Sequence, residues 1–495
     1  MRHTILRTLN IASIVTALGA GSVAHAQETI NTRVGKLELN LGLPTKNTVE
    51  KLYDEIDFQR ACQAFLWGLP AVGVSGWQSA HAFYGGGGDL DLVAYKDFGP
   101  VAGILTPNTT VTYVMAFPIL SRTGPLVWEI PAGQTVGIIM DFWQRPLADF
   151  GLTGPDKGSG VKLLLVGPGQ KAPDDVQGYR VIQSPTVVAF MGYRILNPDP
   201  AVAREEFEKS RLYPYSQRGN PPPQKHVWAQ GKTFIQAQPR GMDYWKRLND
   251  IVQREPVDER DRFFMAMLRP LGIEKGKPFN PDARQQKLLE DAAIVGELMA
   301  RANSFDKRFP GAHYREDAHW EYALMLDPSQ RGDSFEQLDE RAAWFYEAIG
   351  ASPAMVTITP GVGSIYLGAY RDKTGAPLDG GHTFRLHVSP NPPMEQFWAV
   401  TIYDVETRAL IQNADKRAEV SSQTPGLKPN ADGSVDVYVG PAAPKGLESN
   451  WVRSVPGKAW FAYFRLYAPT QAYFDKSWPL PDFEQVSVSG YSVPG

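Results

Sequence analysis

Tyr463, Arg465 and Tyr467 occupy alternate positions in the run Trp460 to Tyr467. Alternate residues of a strand point to one face, so a strand here sets a guanidinium between two phenols and turns Phe464 and Leu466 the other way. By the same parity Arg385 and His387 oppose Phe384 and Leu386, and Thr401 and Tyr403 oppose Ile402. Guanidinium binds oxyanions bidentately, rings stack, and imidazole or phenol can move protons. If these faces converge, they form a concave surface suited to a sugar or to an aromatic or carboxylated ligand. On this pattern His387, Arg465 and Tyr403 are the candidate catalytic groups, and Arg385, Tyr463 and Tyr467 the candidate ligand-binding groups. A solvated outer sheet face gives the same alternation without any function.

Three further positions could contribute. Asp141, with Arg145 beside it, could act as an acid or an oxyanion partner, while Asn108 and Tyr113 could add hydrogen-bonding groups. In His313 to Trp320, Glu316 and His319 are three apart and would share a helix face, a spacing used by carboxylate-bridged metal sites. Such sites need a second Glu-x-x-His, and the chain has none. No cofactor is assigned on this basis, and a divalent metal stays open, with Glu316 and His319 as its weak candidates.

Other motifs are incomplete. There is no His-Glu-x-x-His. Gly73-Val74-Ser75-Gly76-Trp77 lacks the last glycine of a nucleophile elbow. Gly85 to Gly88 has no Lys-Ser/Thr after it, and reads as a loop rather than a phosphate cradle. Asn430, Asp432 and Asp436 fall short of a calcium loop, and the Asp432-Gly433 pair reads as a hairpin turn. The single cysteine, Cys62, sits at helical spacing among apolar residues, which predicts a buried, inert thiol.

The elements that would position these groups follow from periodicity. A helix is predicted from Asn47, with Glu50 as capping partner, to Gly68 before Pro70. Strands are predicted at Thr110 to Phe117, Leu126 to Ile130, Val136 to Trp143, Val161 to Val166, Tyr179 to Gln183 and Val187 to Tyr193, with Gly and Pro punctuating the gaps. Helices are predicted at Ala203 to Leu212, Tyr244 to Gln253, Glu259 to Leu268, Ala283 to Ala302 and Phe335 to Ile349. Strands return at Ser364 to Tyr370, Thr383 to Val388, Gln396 to Tyr403, Ser434 to Val439 and Trp460 to Tyr467. The expected fold is mainly β with a helical insert (α+β): two β-sandwich or jelly-roll-like domains at 27–199 and 351–495, joined by a helical region at 200–350.

Arg2 and Arg7, the apolar run Ile11 to Val23 and Ala24-His25-Ala26 read as a secretory signal peptide cleaved after Ala26, which implies a periplasmic or secreted product. Its removal leaves 48 basic and 53 acidic side chains, a net charge of −5. A weakly acidic chain without a basic stripe argues against nucleic-acid binding, and no later run is apolar enough for a membrane helix. The single cysteine allows no internal disulfide, so stability must come from the core.

Several separately placed blocks resemble a known family. Phe397-Trp398-Ala399-Val400-Thr401-Ile402-Tyr403-Asp404, Asn430 to Val435, Asn450-Trp451, Phe464-Arg465-Leu466-Tyr467-Ala468-Pro469 and Trp478-Pro479-Leu480-Pro481 resemble the C-terminal domain of the exported two-domain family labelled domains of unknown function 1254 and 1214. Phe65 to Val72 and Pro107-Asn108-Thr109-Thr110-Val111-Thr112-Tyr113 resemble its partner domain. The family pattern Pro-Asn-x-Asp-Thr-x-Tyr is broken here, since Thr110 and Val111 stand at the Asp and Thr positions. The resemblance implies two β domains and export, and supplies no reaction. Together these readings predict an exported hydrolase or lyase acting on a small polar, aromatic or carbohydrate ligand in an inter-domain cleft. The alternative is a non-catalytic ligand-binding or assembly protein; oligomeric state is unassigned.

Overall fold

The computed structural model describes residues 27–356 and 358–487, so the predicted leader at 1–26 lies outside the described residues. The chain forms two compact units, Met1–Asp57 and Phe58–Gly495. In the first, β1 (Gln27–Thr32), β2 (Gly35–Asn40) and β3 (Leu43–Pro44) form an antiparallel three-stranded sheet in chain order.

Helix α1 (Lys46–Phe83) continues well beyond the predicted stop at Gly68 and carries Pro70 inside it. Proline removes one helical hydrogen bond and crowds the preceding turn, but burial outweighs that cost here. Leu69, Ala71, Val72, Val74 and Ala80 are fully buried around it, and Gln144 Nε2 donates to the Pro70 carbonyl at 2.6 Å. Gly68 serves close approach rather than termination, because a Cβ there would lie 2.9 Å from Tyr244 Oη.

The next elements are β4 (Leu92–Tyr95), α2 (Phe98–Val101), β5 (Thr112–Ala116), α3 (Leu120–Thr123), β6 (Leu126–Ile130), β7 (Thr135–Met140), β8 (Pro146–Gly151), β9 (Val161–Val166), β10 (Arg180–Gln183), β11 (Phe190–Ile195), α4 (Pro200–Lys209), β12 (Arg211–Pro214) and β13 (His226–Trp228). They build a six-stranded sheet, β13-β4-β5-β11-β7-β8, and a four-stranded sheet, β10-β9-β6-β12. Apolar residues alternating along these strands fill the space between the sheets: Trp128 of β6 meets Phe150 and Tyr193 of the larger sheet at ring distances of 5.4 and 5.5 Å. Strands β12 and β13, which the sequence reading left within the helical region, add an edge to each sheet.

Helices α5 (Met242–Arg254), α6 (Arg262–Leu268) and α7 (Ala283–Phe305) follow. Tyr244, Trp245, Leu248, Ile251 and Val252 make the buried stripe of α5, and Asp282 with Gln285 forms a capping box on α7. Then come β14 (Glu321–Tyr322) and α8 (Leu338–Glu347), six of whose ten residues lie in the run Ala342 to Glu347, which is buried throughout.

The last part contains β15 (Ser364–Ala369), β16 (Phe384–Val388), β17 (Trp398–Asp404), β18 (Glu419–Ser421), β19 (Val435–Gly440), β20 (Trp451–Arg453), β21 (Trp460–Tyr467), α9 (Gln471–Phe474) and β22 (Glu484–Gln485). One sheet runs β14-β15-β21-β17-β18 and the other β20-β19-β16-β22. They pack through residues such as Phe384 and Trp460, whose rings meet edge-on at 5.6 Å. The whole is an α+β fold of several open sheets with helices between them, and among the described residues no helix is long and apolar enough to cross a membrane. Cys62 is buried, as its spacing predicted.

Candidate functional site

A cavity of about 120 Å³ lies where the two sandwiches face each other. That is of the order of the ~150 Å³ apolar cavity known to take up benzene, so its scale is that of one ring with a small substituent. The larger N-terminal sheet supplies one wall. In β11, Phe190, Gly192 and Arg194 alternate onto the cavity side, and Arg194 is flanked in register by Tyr113 of β5 and Val136 of β7. Tyr366 of β15 with Tyr463 and Arg465 of β21 forms the opposite wall, where Tyr366 and Arg465 are direct cross-strand neighbours. Trp77 of α1, Trp344 of α8 and the segment around Asn108 close the sides.

Arg465 is 2% exposed. Its Nη1 donates to Thr401 Oγ1 at 2.8 Å and its Nη2 to the Thr106 carbonyl at 2.9 Å. The guanidinium lies 5.2, 5.5 and 5.7 Å from the ring centres of Tyr463, Tyr366 and Tyr403, distances at which cation–π attraction holds a desolvated charge. Thr401 Oγ1 donates onward to Glu419 Oε2 at 2.6 Å, and Thr109 Oγ1 donates to Glu419 Oε1 at 3.0 Å. Burial raises the Glu419 carboxyl above the ordinary range, with Thr401 and Arg465 opposing that shift.

Arg194 is half-buried, and among the described residues no carboxylate pairs with it. Its charge is favoured by the surrounding phenols of Tyr366, Tyr113 and Tyr467, against the pull of desolvation. The cavity therefore receives one guanidinium from each β domain, and among the described residues no carboxylate lines it. Arg465 has Glu419 behind Thr401 as a nearby carboxylate, whereas Arg194 has none paired with it among the described residues, and a guanidinium so placed beside aromatic walls attracts an anion carrying an apolar body.

The segment that departs from the family pattern is a tight turn at the cavity rim. Asn108 Oδ1 accepts from the amides of Thr110 and Val111, both at 3.3 Å, and the Asn108 amide donates to Tyr113 Oη at 3.0 Å. The carboxylate against this segment is Glu419 of the C-terminal sheet, which reaches Thr109.

The structure brings Asn108, Tyr113, Tyr463 and Arg465 together on the cavity. Tyr403 lies beside Arg465 without lining the cavity, and its hydroxyl donates to the Pro107 carbonyl at 2.7 Å. Tyr467 stacks on Phe397 at 4.0 Å and also stays off the lining. Arg385 and His387 do not converge with them. They belong to β16 in the other sheet, where His387 Nδ1 meets Asp436 Oδ1 at 2.8 Å and Arg385 Nε donates to Glu484 at 3.1 Å. Strand parity was right for each strand, but β16 and β21 lie in different layers of the sandwich.

Asp141 is also elsewhere. Its Oδ1 accepts from the amides of Trp143 and Arg145 at 2.8 and 2.9 Å, and burial pushes its carboxyl up to about 6. Arg145 is committed to Asp261 at 2.7 Å. This cluster ties the turn after β7 to the helical region. Residues 313–320 form no helix, so Glu316 and His319 do not share a helix face. His319 Nδ1 instead pairs with Asp482 at 2.8 Å, and among the described residues no three metal-ligating side chains gather.

Sequence reasoning missed Arg194, Trp77, Trp344 and Tyr366. Arg194 had one readable signal: it is the single charge in the strand Phe190–Ile195.

Residues 92–214 match the protein family of unknown function DUF1254, and residues 363–471 match the protein family of unknown function DUF1214. No curated protein matches the chain. Among solved structures, the VPA0106 protein from Vibrio parahaemolyticus aligns with a TM-score of 0.52 at 17% identity, over 87% of this chain and 100% of its own, a likeness of fold. An uncharacterized protein from Burkholderia cenocepacia aligns over 89% of this chain and 98% of its own, with 13% identity and a TM-score of 0.40, and carries no structural argument. The cavity walls at Tyr113 and Arg194, and at Tyr366, Tyr463 and Arg465, fall inside the two matched segments. The chain thus carries two domains of unknown function, DUF1254 over 92–214 and DUF1214 over 363–471, in the order its sequence blocks resemble.

Proposed function

We propose that the protein binds a small aromatic or unsaturated carboxylate between its two β domains and acts on it by acid–base chemistry, in the hydrolase or lyase class. One observation carries the ligand class: Arg194 and Arg465, from opposite domains, line the same aromatic cavity, and among the described residues no carboxylate lines it beside them. A neutral sugar leaves Arg194 without a counter-charge, whereas a ring-bearing carboxylate satisfies both that charge and the aromatic walls. Acid–base work needs only two or three groups from separate strands, and the tyrosines at the cavity supply hydroxyls. The leader-like residues 1–26 support export to the periplasm or beyond.

A second reading, a non-catalytic binding protein, is favoured by the lining itself, which among the described residues includes neither histidine nor carboxylate. Thermal-shift screening of the protein against aromatic carboxylates, aliphatic carboxylates and sugars tests the ligand class. Stabilisation by the first group alone is expected, and stabilisation by sugars alone would overturn it. Analysis of the bound compound after incubation separates the two readings, since an enzyme converts it and a binding protein returns it unchanged.

A further inference from the structure

A second space adjoins the cavity at the edge of the C-terminal sheet. Strand β14 covers β15 only at Leu367 and Gly368, and the ladder ends where the Ala323 amide donates to the Tyr366 carbonyl at 3.0 Å. Beside the uncovered start of β15 lies a groove of about 250 Å³. Its walls include Tyr322, Leu324, Ile365, Tyr473 and Phe474, and among the described residues no charged side chain lines it.

Packing holds these walls in place. Tyr473 is buried and stacks on Tyr314 at 5.5 Å with the ring planes 9° apart, while Phe474 meets it edge-on at 5.0 Å. Ile365 is buried in the strand itself, and Leu324 and Phe474 stand half-buried.

The groove and the cavity share two residues, since Met355 and Tyr366 line both. Met355 ends the single 3-10 turn Pro353–Met355. The Tyr366 hydroxyl lies 2.9 Å from Ser364 Oγ, and its strand neighbour is Arg465. Methionine is unbranched and turns about three side-chain bonds, so Met355 can swing aside while Tyr366 keeps its place. The two spaces differ in chemistry: the cavity presents Arg194 and Arg465, and the groove presents apolar and aromatic surface.

We infer that the groove is the outer half of the binding site and that the ligand is an acid whose ring carries an apolar arm; this rests on the carboxylate-ligand reading above. The ring and its carboxylate occupy the cavity, and the arm passes between Met355 and Tyr366 into the groove. The cavity alone has the scale of one ring, whereas the groove exceeds the ~150 Å³ that takes up benzene, so a short alkyl chain or a second ring fits there.

Calorimetric titration of the full protein with benzoate, 3-butylbenzoate and 4-butylbenzoate tests this. Each buried methylene is worth roughly a fourfold gain in affinity, so one of the butyl acids should bind at least tenfold more tightly than benzoate. Leu324→Gln and Phe474→Gln each place an amide in the groove at a half-buried position outside the cavity lining. Each should erase most of the gain, read as the ratio of butyl acid to benzoate affinity within the same variant, and the second variant serves if the first does not fold. Butyl acids that bind no more tightly than benzoate, or a ratio unchanged in the variants, would overturn the groove and leave the carboxylate reading standing. If the wild type binds none of the three acids, the carboxylate reading falls and the groove with it.

Discussion

Arg465 Nη2 donates to the Thr106 carbonyl at 2.9 Å, so a side chain of the C-terminal sheet fastens the segment that rims the N-terminal wall. One residue on, the Tyr403 hydroxyl repeats the tie to Pro107. The same guanidinium that presents positive charge to the cavity thus holds the two domains in register around it.

Arg465→Met should therefore lose both properties. It leaves the Thr106 carbonyl and Thr401 hydroxyl short of a buried donor, a loss of ~2–4 kcal/mol in unfolding free energy, and it should abolish benzoate binding. Arg465→Lys keeps the charge but not the fork, and should retain weak binding. Denaturant unfolding and calorimetry check the two effects separately.

Arg194 differs because its neighbours are phenols, with Tyr366 hydrogen-bonded to it, and no carboxylate pairs with it among the described residues. Arg194→Gln should weaken benzoate binding at least tenfold, equivalent to about 1.4 kcal/mol, with little change in the midpoint of thermal unfolding. A large loss of stability with unchanged affinity would assign this residue to the fold instead.

Stability against pH reports on Glu347, the fully buried last residue of α8. Its carboxyl is raised from 4.5 in the unfolded chain to about 7 in the fold, so the native state binds the extra proton between those values. Its contribution is complete below about 4.5 and is lost as pH rises to about 7. Asp141 and Asp149, raised from 3.8 to about 6, act in the same direction at lower pH. His81, lowered from 6.5 to about 4 by burial, opposes them in that range. The wild type minus Glu347→Gln difference isolates the limb approaching pH 7: the wild type should lose stability there relative to the variant, measured by urea unfolding across the pH series.

His387→Ala and Arg385→Ala should leave benzoate affinity within about twofold of wild type. Their partners Asp436 and Glu484 are partly exposed, and such pairs contribute about 0–1 kcal/mol to stability. A tenfold affinity loss in either variant, read by the same titration, would move the site to the other sheet.

The contrast between those two strands shows what the sequence could convey. Period-two alternation placed Tyr463 and Arg465 on one face and Arg385 and His387 on one face, and both statements hold. Whether two faces meet depends on which sheet each strand joins, and that is set by long-range pairing: β21 lies between β15 and β17, whereas β16 lies between β19 and β22. The family blocks contain Asn108 and Tyr113, which line the cavity. Arg194 was one residue beyond the predicted strand end at Tyr193, and Trp77 lay past the predicted end of the first helix at Gly68. Glu347 looked like any acidic residue near a helix end, and only packing against Lys307, Tyr370 and Tyr463 sets it apart.

The central claim is that two guanidiniums from opposite domains select a ring-bearing anion. The most direct test is a calorimetric comparison of benzoate with benzamide, which has the same ring and nearly the same shape but no charge. Benzoate should bind at one site per chain, at least tenfold more tightly than benzamide, and Arg194→Gln should erase most of that preference. Equal affinity for the two compounds, or binding of neither, would contradict the account.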